Sequence, residues 1–108
     1  MNLVLVTSVI NARDSFFSSE ERLKQTIELT IPSIRKKIPN SYVVILEGSN
    51  ISDEQKNKLE KVCDEIFYVD LGGSDKQSGE INLLYKYLTS EIFSEKEIKI
   101  ENLLKISG

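Results

Sequence analysis

The chain has 108 residues, a formal net charge of −3, a lone cysteine and no histidine. That length bounds it to a single domain, residues 1–108, with a core at the small end of what folds alone. The acidic balance without a long basic run excludes a general nucleic-acid binder. The missing His and Cys partners exclude intramolecular disulfides, thiolate zinc cages and His-based catalytic pairs.

Residues 2–9 read as a buried parallel strand, with Leu3-Val4-Leu5-Val6 running into Thr7-Ser8. The following loop, Thr7 to Ser19, is long for a strand-to-helix connection, where about 2–6 residues are usual. Such loops at the carboxyl edge of a sheet carry binding residues, and Thr7, Asn11 and Arg13 suit a nucleotide or sugar phosphate. The same loop also fits a polar turn with Phe16 or Phe17 packed as a hydrophobic staple.

Ser18 and Glu21 have capping-box spacing and open a helix. Leu23, Ile27, Ile31, Ile34 and Ile38 form its apolar stripe. Pro32 should bend or split this helix, because it lacks a backbone donor and crowds the preceding turn. Pro39 and Asn40 end it, and Arg35-Lys36-Lys37 complements the negative end of its dipole.

A second strand covers about residues 42–47 and closes on Glu47, which fits either a ribose or base edge or a solvated Glu before a Gly-Ser turn. Ser52 and Gln55 form a second capping box, for a helix to about Asp64 with Leu59, Val62 and Cys63 inward. A third strand runs over about 66–70 to Asp70, a weaker candidate because Asp often ends strands. A loop with Gly72, Gly73 and Gly79 leads to a helix beginning near Ser78-Gly79-Glu80. Its start, with Lys76 beside it, suits a phosphate, but local physics alone favours Ser78 as a cap with Glu80 complementing the dipole. Ile81, Leu84, Leu88 and Ile92 mark its expected buried face. Residues 93–102 are ambiguous, and Leu103–Ile106 reads as a last short strand.

Strands alternating with helices imply βαβ units and a mainly parallel sheet whose polar tips gather at one edge. Neither a P-loop nor a Gly-x-Gly-x-x-Gly turn is present. Any metal would be a hard cation, Mg²⁺ or Mn²⁺, on carboxylates such as Asp70 or Glu47. The apolar runs fall far short of the ~20 residues that span a membrane, and Met1-Asn2 is no signal-peptide start, so a soluble cytoplasmic protein is expected.

A family resemblance rests on the order of several segments: the strand ending in Thr7-Ser8, then Glu20 to Thr26, Ser33 to Pro39 and Ile45-Leu46-Glu47-Gly48-Ser49. Lys76-x-x-Gly79-Glu80 and Lys105-Ile106-Ser107-Gly108 complete it. In this order the chain resembles the amino-terminal half of GT-A-type glycosyltransferases, in the branch found in lipopolysaccharide-type synthesis and in viral genomes. The resemblance implies a three-layer, Rossmann-like α/β fold with about four strands, and a nucleotide-diphosphate-sugar donor of UDP or GDP type. It implies that Thr7, Ser8 and Arg13 cradle base and ribose, that Glu47 is the acidic residue ending the second strand, and that Lys76, Gly79 and Glu80 face the donor.

The chain departs from the family in lacking an Asp-x-Asp metal motif, and nothing follows Gly108 where relatives continue into an acceptor half. A minimal or truncated donor-binding domain is therefore expected, with glycosyl transfer or hydrolysis slow or absent and dependent on added cation. The alternative is a non-catalytic oligomeric module. In it the Leu103–Ile106 edge, and Glu97-Ile98-Lys99-Ile100 as a strand or arm, would be covered in a homo-oligomer. Charge at Glu95, Lys96, Glu97 and Lys99 would instead suit a solvated monomer.

Overall fold

Strand β1 (Asn2–Ser8) is central, and its apolar residues are buried because the sheet is covered on both sides. The structure, a computed structural model, describes residues 1–11, 18–69 and 76–107, apart from the side chains of 76–80, Ile98 and Ser107. The expected Phe16 or Phe17 staple lies outside the described residues. Strands β2 (Ser41–Glu47), β3 (Glu65–Tyr68) and β4 (Asn102–Ser107) complete a four-stranded sheet of order β3-β2-β1-β4. Every pairing is parallel, with Ser8 beside Glu47 and Thr7 beside Ser107. The expected small parallel sheet is thus present, with β3 starting one residue earlier and ending sooner than the apolar run suggests.

Helices α1 (Ser19–Gln25), α2 (Ile31–Lys37) and α3 (Asp53–Glu60) follow β1 and β2. Ser18 Oγ accepts from Glu21 N–H at 3.2 Å and starts α1. Pro32 does not break the chain. Instead, Thr26–Thr30 forms a π-turn in which Ile31 N–H donates to Thr26 O, so the path shifts upstream of the missing proline donor. Asn40 ends the segment with φ of 52°, a left-handed value that Asn tolerates better than most residues. Ser52 and Gln55 make both bonds of the capping box, and α3 then stops at Glu60, short of Asp64.

Leu23, Ile31, Ile34 and Leu59 bury against Val4, Val6, Val43 and Ile45 on one sheet face, with Val62 and Cys63 at the margin. Burial pushes the Cys63 thiol up to about 11, so it is a packing group and not a nucleophile.

Helices α4 (Lys76–Leu88) and α5 (Glu91–Lys96) pack on the opposite face, against Leu3, Leu5, Val44 and Leu46. This switch of face accompanies a reversal of direction. The chain steps outward from β1 to β3, then crosses back over β1 to reach β4, and right-handed crossovers require the helices to change sides.

Two expectations for this half are corrected. Helix α4 begins at Lys76, and its buried face is Leu83 and Tyr87, both 0 % exposed. Ile81, Leu88 and Ile92 are exposed, and Leu84 is partly buried. The reason is aromatic: Tyr87 stacks edge-on with Phe67 at 5.1 Å and Phe93 at 5.7 Å, and this cluster sets the helix rotation. Glu97-Ile98-Lys99-Ile100 is not a strand. Ser90 caps α5 through Phe93 N–H at 3.2 Å, and Glu97–Lys99 continues it as a 3₁₀ turn. Lys96 then pairs with Glu65 at 3.1 Å and docks α5 beside β3.

Among the described residues, no helix is long and apolar enough to cross a membrane.

Candidate functional site at the carboxyl edge

Parallel strands β1 and β2 end side by side at Ser8 and Glu47, so their loops leave the sheet from the same edge. Gly48 N–H donates to Ser8 O at 2.8 Å and extends this pairing past the strands. Glu47 itself has no solvent exposure, and Thr7, Ser8 and Ser49 are also buried. The carboxylate points inward and organises the loops. Its Oε2 accepts from Ile10 N–H at 2.9 Å, from Ser49 N–H at 3.1 Å and from the Ser49 hydroxyl. Oε1 is buried without a hydrogen-bond partner.

Burial raises the Glu47 pKa above its ordinary 4.5. Hydrogen bonds from Ser49 and Ile10 offset part of that rise by favouring the ionised form.

The network continues outward. Asn11 N–H donates to Ser49 Oγ at 3.0 Å, and its amide donates to Asn50 O at 2.8 Å and Gln55 Oε1 at 3.0 Å. Gln55 Nε2 returns a bond to Asn11 Oδ1 at 3.1 Å, while Gln55 Oε1 also holds Ser52 N–H at 2.9 Å. Thus the cap of α3 is tied to the loop after β1. Arg22 of α1 reaches Val9 O at 2.6 Å and fixes the same loop from the other side. Replacing Asn11 by alanine removes three side-chain bonds and is expected to cost about 1–2 kcal/mol of stability, read by urea denaturation.

The structure therefore brings Thr7, Ser8, Asn11 and Glu47 to one edge. Arg13 and Asp70 lie outside the described residues. Lys76, Gly79 and Glu80 sit in the first turns of α4, with side chains outside the described set. Ser49, Gln55 and Arg22 were not singled out as site residues. Gln55 was visible only as a capping partner, and nothing local in the sequence links Ser49 or Arg22 to residues so far away in the chain.

Of the two carboxylates considered for a cation, Glu47 already accepts three hydrogen bonds at Oε2, and Asp70 lies outside the described residues.

The edge beside β1 has a further property. The order of connections reverses between the adjacent strands β1 and β4, whose carboxyl ends lie side by side with Thr7 paired in register with Ser107. Such switch points are where open parallel sheets bind ligands.

No protein-family model, no curated protein and no solved structure matches this chain.

Proposed function

We propose that this chain is a GT-A-like nucleotide-sugar-binding domain of three layers, taking a UDP- or GDP-type donor at the switch point beside the carboxyl ends of β1 and β4. The observation that carries this reading is the switch point itself, where Thr7 and Ser8 end β1 next to Ser107. In this reading Glu47 acts through the loops it holds, presenting the backbone of Ile10 and Asn11 beside the donor. Arg13 and Lys76 neutralise the diphosphate, and Asp70, Gly79 and Glu80 border it. A bound Mg²⁺ or Mn²⁺ would supply further positive charge at the diphosphate, with Asp70 as a candidate ligand. Glycosyl transfer or hydrolysis would rely on Arg13 and Lys76 to stabilise the departing diphosphate.

Calorimetric titration with UDP- and GDP-sugars, each with and without Mn²⁺, tests the proposal. Saturable heat with one donor class is expected, and Arg13→Ala should weaken it about tenfold or more, the worth of one charge-assisted hydrogen bond. Absence of heat from both classes in both conditions overturns it.

A second reading, a non-catalytic self-associating module, is favoured by one observation. Strand β4 is an edge of the sheet, and Leu103 on it is 48 % exposed.

A further inference from the structure

Helix α4 carries more apolar surface than the sheet beneath it uses. Leu83 and Tyr87 bury one side of the helix completely. Ile81, Tyr85 and Leu88 lie on the outer side, and the first two are 64 % and 67 % exposed. At about 100° per residue these three fall within about 60° of one another and form a single stripe along the helix. Leu84, partly buried, lies between the stripe and the core.

The outer face of α4 also lacks charge. From Ile81 to Thr89 the one charged residue is Lys86. It stands about 100–160° round the helix from the residues of the stripe. Helix α3 shows the ordinary arrangement for a solvated face, with Lys56 paired to Glu60 and Lys58 to Glu54. On the side of the sheet that α4 covers, Leu103 of β4 is left open as well, in register with the buried Leu3. Apolar surface of this extent without charge marks an interaction face.

The spacing of the stripe says what fits it. Ile81, Leu84, Tyr85 and Leu88 follow one another at steps of three, one and three residues. That pattern is unchanged when the helix is turned end for end. A second copy of α4 laid antiparallel therefore sets Ile81 against Leu88 and Leu84 against Tyr85, and every facing pair is apolar. The antiparallel sense also sets the two helix dipoles head to tail, which a parallel pair would not. Each chain carries a net charge of −3, so copies approach best through a face without charge. With Asn82, Thr89 and Leu103 at its rim, the contact would remove on the order of 1,000 Å² from water over both copies, about the least that a specific interface needs.

We propose that two copies of this chain associate through α4, antiparallel about a two-fold axis between Leu84 and Tyr85, with Ile81 of each copy against Leu88 of the other. The two helices form the middle of the dimer and the sheets lie outside them. Closed two-fold pairs of this kind need only one self-complementary patch. The inference rests on the self-associating reading and names the surface through which it occurs.

Light scattering coupled to gel filtration, on the 108-residue chain at high micromolar concentration, tests it. The expected mass is twice the 12.3 kDa of one chain. Tyr85→Lys should return the mass to one chain, and Ile81→Lys and Leu88→Glu should each weaken the dimer about tenfold or more. All three positions are exposed in the single chain, so the urea midpoint of each variant, measured at a concentration where wild type is monomeric, should stay close to that of wild type. Mixing the Ile81→Lys and Leu88→Glu chains in equal amounts should restore a dimer, because the antiparallel register sets the new lysine against the new glutamate and leaves the other Ile81–Leu88 contact intact.

A wild-type mass near 12.3 kDa overturns both the inference and the self-associating reading. A dimer indifferent to the three substitutions, or a mass of three or more chains, overturns this interface but leaves self-association standing. A dimer weakened by the single substitutions and not restored by mixing overturns the antiparallel register.

Discussion

Glu47→Ala is expected to lower stability by about 2–6 kcal/mol, because two buried backbone N–H groups lose their acceptor at about 1–3 kcal/mol each. The groups are those of Ile10 and Ser49, and the Ser49 hydroxyl is stranded with them. Small domains are stable by only about 5–15 kcal/mol, so the loss is a large share of the total. Urea denaturation at neutral pH reads it as a lower midpoint.

Glu47→Gln separates packing from ionisation, since its amide oxygen can keep the same donors while the group no longer titrates. The sign of the pH effect follows from burial. The folded pKa of Glu47 lies above its unfolded value near 4.5, so the folded state holds the proton more tightly. The Glu47 contribution is therefore fully present below that pH. It is lost as pH rises toward the folded pKa, at no more than about 1.4 kcal/mol per pH unit for one proton. In Glu47→Gln this component of the slope should vanish. An unchanged pH profile in the Gln variant would show that Glu47 titrates normally.

The strands were legible because their signal is local. Leu3 to Val6 and Tyr42 to Leu46 are apolar runs bounded by polar tips, and both became central strands. Pro32 was legible as a disturbance, but the sequence could not say whether the helix would kink, split or take a π-turn, since that depends on how the stripe from Leu23 to Ile34 stays on the sheet. Glu47 was legible as a position and not as an orientation. A Glu before Gly48-Ser49 normally faces water. What turns it inward is the N–H of Ile10, 37 residues away, which no local pattern reveals. Helix α4 carries apolar residues on more than one side, so periodicity alone did not choose its buried face. The exposed side holds Ile81, Tyr85 and Leu88, and the choice was made by Phe67 and Phe93, from other elements.

Tyr87 offers the second large effect, and it runs in two directions. The ring is wholly buried and contacts Phe67 and Phe93 edge-on, so Tyr87→Ala removes an aromatic from the centre of this half of the core. A loss of about 3–5 kcal/mol is expected, the usual cost of truncating a buried aromatic. The hydroxyl tells the opposite story, because it is buried without a hydrogen-bond partner. Burial raises its pKa strongly, with Glu65 adding to the effect, so it stays a neutral phenol throughout the accessible pH range. An unpaired buried hydroxyl costs about 1–3 kcal/mol in protein contexts. Tyr87→Phe keeps both ring contacts and removes that cost, so it should raise the urea midpoint while the alanine variant lowers it. A destabilised phenylalanine variant would mean that the hydroxyl has a partner in solution and that the rotation of α4 is set by that bond as well as by the ring.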